Sequence, residues 1–478
     1  MRRSEHRLPY GFADVSKRTG VPTENTPTWG SAWIDLAADG YPDLLLNRHK
    51  REAWWLQGDR DGFTTSKSTF DELLLSLPKG RSYYDRHSCA WGESNGDGRP
   101  DLYCVAGAQK GIGEGPNRLL GSAGAGFRDI SRAAGVQDLF GRGRTVNWLD
   151  YDSDGDLDLY VGNEVRAGYP NVLFRNDGAS FTSVASRLSM SIATMDSAWG
   201  DFDLDGDPDL LVAGNGERGS AFMRNDEGTF IETYLEGVTG KQWDAARWAD
   251  FDADGAIDLV LVREDLAAIW RNNGTNLYLH GSFPLEAGNS AALFDIDNDG
   301  DLDLYVVQGA PRNGSLSDAN LPDLLFVNRG GSFARASSNA VPGPQVGSGE
   351  SVSVSDFDRD GRLDLLITNG YLEKPGPTTL LRNISRTGNW AAIQIHGDPK
   401  NPLGFGAVVR VRTSQGTAWQ FVTDQMSFHS QSEVGYLHLG LGLASAGRVR
   451  VKWPDGSKDC FSIEAAETIE LHKGSWGC

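Results

Sequence analysis

Carboxylates recur along this sequence at a spacing that suits a hard cation. The pattern is Asp-x-Asp-x-Asp-Gly-x-x-Asp, with acids at positions 1, 3, 5 and 9 of a tight loop. Five copies carry all four: Asp150/Asp152/Asp154/Asp158, Asp201/Asp203/Asp205/Asp209, Asp250/Asp252/Asp254/Asp258, Asp295/Asp297/Asp299/Asp303 and Asp356/Asp358/Asp360/Asp364. Another uses Glu93, Asn95, Asp97 and Asp101, and the first has only Asp35, Asp39 and Asp43 because Ala37 fills position 3. Calcium takes six to eight oxygens, and a glycine at position 6 permits the sharp turn that makes these side chains converge. Seven solvated acidic turns are the bland alternative, but four like charges in so short a loop repel without a cation. The expectation is five to seven structural calcium ions, with the Asp35 loop the weakest site. Their own loops saturate these ions, so they have no catalytic role.

A second set of residues suits acid–base work and anion holding. His87, with Asp85 or Glu164 near it, has the chemistry of a general acid–base pair, since histidine titrates near neutrality. Arg144 suits an anionic group. His49, Tyr84, Trp55, Arg247 and Glu217 are the candidate ligand-binding residues. The competing reading is that each of them caps a strand end or links neighbours by ion pairs. No Gly-x-Ser-x-Gly, HExxH, Walker or Cys-x-x-Cys motif occurs, and no redox cofactor is expected.

These residues need a scaffold, and the repeat supplies it. The acidic loops start at residues 35, 93, 150, 201, 250, 295 and 356, at intervals of 45–61 residues. That is room for one four-stranded propeller blade each. An apolar run precedes each loop and another follows it. A third run carries Arg-Asn, as in Arg175-Asn176 and Arg224-Asn225, and a fourth opens with Gly-Phe, as in Gly126-Phe127. Gly11-Phe12-Ala13-Asp14-Val15-Ser16 is a fourth strand with no blade before it. The seventh repeat stops after its third strand at Leu380-Leu381-Arg382-Asn383. Ring closure by the first strand accounts for both and leaves no open edge. The expected fold is all-β: a seven-bladed propeller over residues 1–386 and a small β domain over 387–478. Trp33, Trp91, Trp148, Trp199 and Trp248 precede five of the loops by two residues, a place that suits packing between blades. The loops opposite the acidic ones gather the second set of residues, so the expected small-molecule site is on that face.

Bulk properties narrow the partners. The net charge of −20 argues against nucleic acid. Of the 65 acidic residues, 29 lie in the seven loops, so the charge is concentrated where a cation belongs. No run of about 18 apolar residues predicts a membrane span. The basic N-terminus lacks the apolar stretch of a signal peptide, which predicts a cytoplasmic protein, or an extracellular one if a leader has been removed. Cys89/Cys104 and Cys460/Cys478 are candidate disulfides, but free thiols are the expectation.

The acidic loops and Gly-Phe strands resemble FG-GAP/VCBS propeller repeats. The C-terminal segment has Asn389-Trp390-Ala391-Ala392-Ile393, Gly404-Phe405-Gly406-Ala407, Ser430-Gln431-Ser432, Leu437-His438-Leu439-Gly440-Leu441-Gly442 and Trp453-Pro454-Asp455-Gly456. Together these resemble the ASPIC/UnbV domain of cartilage-acidic-protein-like chains. The resemblance implies fold more than function, since some members are matrix or surface proteins and the UnbV name comes from natural-product gene clusters. The expectation leans to a redox-neutral cyclase or isomerase acting on a small molecule. The alternative is a non-catalytic calcium-dependent module that binds protein or glycan.

Overall fold

The computed structural model of the chain describes residues 10–49, 51–65, 85–107, 116–124, 126–139, 141–164, 170–178, 180–184, 188, 192–310, 321–338, 340–342, 347–370, 374–424 and 426–478. Within them are seven antiparallel four-stranded units. Their inner strands are Thr28–Ile34, Arg86–Gly92, Gly143–Leu149, Thr194–Gly200, Ala245–Ala249, Gly288–Phe294 and Val352–Ser355. Each inner strand contacts the next, and the seventh contacts the first, so the units form a closed ring around a channel. Phe12–Asp14 completes the seventh blade, with Phe12 opposite Asn383 and Asp14 opposite Leu381.

The repeated residues explain how the blades hold together. The position-9 carboxylate is a tie within a blade. In blade 4, Asp209 accepts the Phe202 N–H at 2.8 Å and the Asn225 N–H at 2.7 Å, joining loop to third strand. The third-strand asparagine is a tie between blades. Asn176, Asn225, Asn272, Asn328 and Asn383 each donate to the position-2 carbonyl of the preceding blade's loop: Ser94, Tyr151, Phe202, Phe251 and Ile296. Tryptophans add to this seam. Trp148 donates its indole N–H to Ala90 O and Trp248 to Ala198 O, each belonging to the preceding inner strand.

Residues beyond 386 form a three-stranded sheet of Tyr436–Gly442, Asn389–His396 and Thr468–His472. A four-stranded sheet of Thr417–Phe421, Val408–Arg412, Ala446–Lys452 and Lys458–Glu464 accompanies it. The chain does not divide in space where it divides in sequence. A hairpin of Met426–Ser427 and Ser430–Val434 leaves these sheets and enters the propeller channel, where its second strand pairs in parallel with the inner strand of blade 1. Gln431 replaces a missing strand partner: its side chain accepts the Trp91 N–H at 2.8 Å and donates to Trp91 O at 3.2 Å. Asp424 accepts the Trp148 N–H, Ser432 the Val354 N–H and Ser430 the Ser31 N–H. Polar side chains of the hairpin, with Asp424 just before it, thus satisfy inner-edge backbone groups that a bare channel leaves to water. Apolar contacts are continuous as well, since one core cluster joins blades 1–3 to Ile393, Val409 and Trp453.

Both cysteine pairs are bonded, which corrects the expectation of free thiols. Cys89 and Cys104 face each other on paired strands, and Cys460 is joined to the C-terminal Cys478. No helix among the described residues is long and apolar enough to cross a membrane.

Candidate metal loops, buried histidine cluster and interdomain cavity

Each acidic loop is shaped before any cation is considered. In five of the loops the position-1 carboxylate accepts the N–H groups of positions 5 and 6, as Asp150 does from Asp154 and Gly155. Position 4 is left-handed even where it is not glycine: Ala38, Ser153, Leu204, Ala253, Asn298 and Arg359 have φ of 52–63°. The third-strand arginines reach position 3 from one side: Arg271 to Asp252 at 3.0 Å, Arg329 to Asp297 at 3.0 Å and Arg382 to Asp358 at 2.7 Å. They use one oxygen only. The other, Oδ1 of Asp152, Asp203, Asp252, Asp297 and Asp358, is buried and unpartnered in all five four-acid loops. Ligand atoms of Asp150, Asp152 and Asp158 lie within 4.8 Å of one another, as do those of Asp201, Asp203 and Asp209. Burial, then neighbouring carboxylates, pushes Asp150, Asp201 and Asp250 up to about 6. Burial pushes Asp209 up to about 7 and Asp258 to about 8. This oxygen-only donor set fits a hard divalent cation. The Asp35 loop, with Ala37, has no position-3 oxygen to offer, and in the second loop Asn95 Oδ1 accepts the Asp97 N–H.

Position 5 varies among the loops: Asp254 lies with Asp250 and Asp252 within 4.8 Å, while Asp205 and Asp360 are engaged elsewhere. Asp205 is exposed and stands outside the group formed by Asp201, Asp203 and Asp209. Its Oδ1 accepts the Asp207 N–H at 2.9 Å, so this side chain closes its own turn. Asp154 does the same for the Asp156 N–H. Asp360 departs further from a free ligand. Its Oδ1 accepts the Arg362 N–H at 3.1 Å, and its Oδ2 is held by the guanidinium groups of Arg362 and, at 2.7 Å, Arg382. The physical reason is place: position 5 follows the left-handed residue at the outer end of the loop, within reach of backbone N–H groups and third-strand arginines. Positions 1 and 3 are common to the groups begun by Asp150, Asp201 and Asp250, joined by position 9 in the third and fourth loops and by position 5 in the fifth, and in the last loop two arginines hold Asp360.

At the channel end reached by the hairpin tip, Asp85, His87, Arg144, Glu164 and His49 come together, as their acid–base assignment requires. They are buried, at 2–8 % exposure, and engaged with one another. Asp85 Oδ1 is 2.9 Å from His49 Nδ1 and 3.4 Å from His87 Nε2. Arg144 donates to His87 Nδ1 and also pairs with Glu164, which Arg142 meets at 2.8 Å. Trp29 stacks on His87 at 4.5 Å and donates its indole N–H to His49. Burial, then the Arg144 charge, pushes His87 down to about 4. Burial opposes the charge on Asp85, yet His87 and His49 hold its carboxyl below the ordinary range.

Two members escaped the sequence reading of this group. Trp29 precedes the first apolar run. His429 comes from the hairpin tip, 342 residues beyond His87 in the numbering, beside the Ser430-Gln431-Ser432 segment. His429 Nδ1 meets Arg144 O at 2.6 Å and Nε2 lies 3.6 Å from Glu350. Burial pushes His429 down and Glu350 up to about 8.

Other assignments change place. Tyr84 lies outside the described residues. Trp55 is a core side chain, edge-on to Trp91 at 5.9 Å, and not a ligand contact. Glu217 is exposed in a turn of blade 4 and has no hydrogen bond or ion pair within the cluster. Arg247 lies in the inner strand of blade 5, inside the channel, paired with Asp196 at 2.5 Å. Among the described residues the sizeable cavity is also not on the expected face. It has a volume of about 360 Å³ and lies between the inner strands of blades 3–7 and the C-terminal sheets. Trp148, Trp199, Trp248 and Trp419 wall it, and Arg247 and Asp424 are charged residues facing it. Burial pushes Asp424 up to about 7.

Comparison with known proteins agrees with this architecture. The FG-GAP-like repeat model matches residues 94–161, 150–212, 201–261 and 250–306, and the ASPIC and UnbV model matches 397–475. The chain is an FG-GAP-repeat protein with an ASPIC/UnbV domain. Cartilage acidic protein 1 of Homo sapiens is 24 % identical over 504 residues, covering 94 % of this chain and 73 % of the relative. The Mus musculus protein of that name is 25 % identical over 423 residues, covering 78 % of this chain; the match spans 62 % of the mouse protein's length. The solved structure of Saccharomyces cerevisiae Sqt1 is similar with a TM-score of 0.46 at 10 % identity, covering 79 % of this chain and 99 % of that one. The hairpin that enters the channel is thus part of the ASPIC/UnbV domain.

Proposed function

We propose that this protein is a calcium-stabilised recognition module of the matrix or adhesion type, binding a protein or glycan without transforming it. One observation carries the calcium: the same position-3 oxygen is buried and unpartnered in five loops. The likeness to cartilage acidic protein 1 supports the setting. The two disulfides suit an oxidising compartment and so favour an extracellular protein over a cytoplasmic one. The burial and mutual pairing of His87, Asp85, Arg144 and Glu164 weigh against acid–base turnover at that end of the channel. The test pairs metal analysis with binding. Calcium-loaded protein is expected to hold five to seven ions and to bind members of a panel of matrix proteins and glycans, and chelator is expected to abolish that binding. No bound calcium, or binding indifferent to chelator, defeats the reading.

The cavity favours a second reading, small-molecule binding at the domain interface. A cyclase or isomerase of natural-product biosynthesis needs its substrate in this space of about 360 Å³. Asp424, pushed up to about 7, is then the acid and Arg247 the anion holder. A soaked ligand found there, with turnover lost in Asp424→Asn, brings this reading to the front.

A further inference from the structure

The buried cluster at the hairpin tip has more nitrogen than an ion-pair network uses. Three of the chain's eight histidines meet there, from blade 1, blade 2 and the hairpin, with one carboxylate between two of them. As a purely structural network it is poorly satisfied, since His49 Nε2 and His429 Nε2 are buried without hydrogen-bond partners. Buried polar atoms of this kind normally find one.

The spacing suits a common ligand. His49, Asp85 and His87 each offer a donor atom, all within 4.8 Å of one another. The separations of 2.9 and 3.4 Å from Asp85 Oδ1 are those of neighbouring ligands on one ion at about 2.0–2.2 Å. Ring centroids are 6.0 Å apart for His49 and His87 and 5.5 Å for His87 and His429. Two imidazoles on one ion at about 2.1 Å have centroids roughly 5–6 Å apart. His429 has the tautomer that ligation needs: its Nδ1–H donates to Arg144 O, which leaves the Nε2 lone pair free. From these distances and the free Nε2 of His429 we infer that His49, through Nδ1 once the Trp29 indole N–H turns away from it, Asp85 and His87 bind one divalent transition-metal ion, with His429 as fourth donor. The ASPIC/UnbV hairpin then completes a site begun by the propeller.

Donor type separates this site from the acidic loops. Imidazole with a single carboxylate suits zinc, iron, nickel or copper, whereas the loops offer oxygen alone. Arg144 is the competing cation. Metal on His87 Nε2 leaves the proton on Nδ1, so Arg144 must give up that nitrogen and rely on Glu164, which it already meets. Trp29, stacked on His87 and edge-on to His429 at 5.4 Å, covers the cluster with an apolar face.

The test uses untagged full-length protein, stripped of metal and returned to excess calcium so that the loops are supplied. The stacked His396/His472 pair, of which His472 is exposed, is removed from every sample by His472→Ala. Cobalt(II) is the probe. One equivalent is expected to bind with visible d–d bands, and the bands are expected to vanish in His49→Ala and His87→Ala and to weaken in His429→Ala. Asp203→Ala, in an acidic loop, is expected to leave them unchanged. X-ray absorption on the cobalt-loaded protein with intact His49, His87 and His429 is expected to show two or three imidazoles, which keeps the test decisive if a variant fails to fold. An all-oxygen shell, no stoichiometric cobalt beside calcium, or bands that survive in folded His87→Ala overturns the inference.

Discussion

Gln431 shows how one side chain can take the place of a strand. Its amide satisfies both backbone groups of Trp91 on the inner edge of blade 2. Gln431→Leu keeps the volume but strands a buried N–H and a buried C=O, each costing about 1–3 kcal/mol. The expected loss is roughly 2–4 kcal/mol in calorimetry or chemical denaturation; a change within error shows that water enters and replaces the amide. Gly30 tests the same seam by volume, because a Cβ there runs into His429 O and lies 2.9 Å from His87 O, both backbone atoms. Gly30→Ala is expected to push the hairpin tip out and to cost about 1–3 kcal/mol as overpacking. Within the loops, Asp203→Ala is expected to lower the melting temperature in calcium more than Asp39→Ala. Asp203 supplies the buried position-3 oxygen of a four-acid loop, and Asp39 belongs to a loop already lacking position 3.

At the scale of elements, the ASPIC/UnbV sheets meet the propeller through a neutral imidazole. His438 Nε2 meets Asn298 Oδ1 at 2.8 Å, and its ring stacks on Trp390. Burial, then the Arg359 charge, pushes His438 down to about 3. Its folded value lies below the ordinary 6.5, so the unfolded chain takes the proton first as pH falls. Stability is therefore whole above about pH 6.5 and is lost progressively from there toward pH 3. His438→Gln can still donate to Asn298 but does not titrate. Its melting temperature, followed from about pH 7 to 5 in saturating calcium, is expected to fall less steeply than that of the parent. Parallel slopes show that other groups set the acid limit. The elements themselves were readable from sequence because their signals are local: loop spacing, Gly-Phe strands and an orphan fourth strand at residues 11–16. The hairpin was not. Its partners Ser31, Trp91 and Val354 lie 78–399 residues away, and Ser430-Gln431-Ser432 reads as one more short strand. Without the hairpin the channel end looks open, which is why His87, Asp85 and Arg144 read as an accessible acid–base site and the interdomain cavity went unseen. Spacing also could not tell Asp205 or Asp360 from the other loop acids, because what sets them apart is exposure in one case and arginine neighbours in the other. The disulfides failed for a different reason, since four cysteines in 478 residues force no pairing.

For the whole molecule, the loops of blades 6 and 7 matter most, because the ASPIC/UnbV domain sits on them. Asp295, Asp297 and Asp356 are at most 3 % exposed. The Asp297 carbonyl accepts the Gly388 N–H and the Asn298 carbonyl the Gly442 N–H, both at 2.7 Å. Arg359, at position 4 of the last loop, holds Glu433 at the base of the hairpin at 2.5 Å and lies over the Tyr436 ring. Gly361 at position 6 lies so close to Trp390 that a Cβ there meets the indole. Loop shape at these two sites is therefore also the shape of the domain interface. Calcium that fixes the loops stabilises the folded state in proportion to occupancy, by about 2.7 kcal/mol per site at a hundredfold excess over Kd. On the proposed calcium reading, the same ions also stabilise the seating of the hairpin. Chelation is expected to lower the melting temperature substantially. In hydrogen exchange it is expected to deprotect residues 426–434 together with 295–303 and 356–364, while 201–209 opens without moving the hairpin. Uniform deprotection of all loops with the hairpin unchanged shows that the channel insert is held by its own polar contacts alone, and that calcium serves each blade separately.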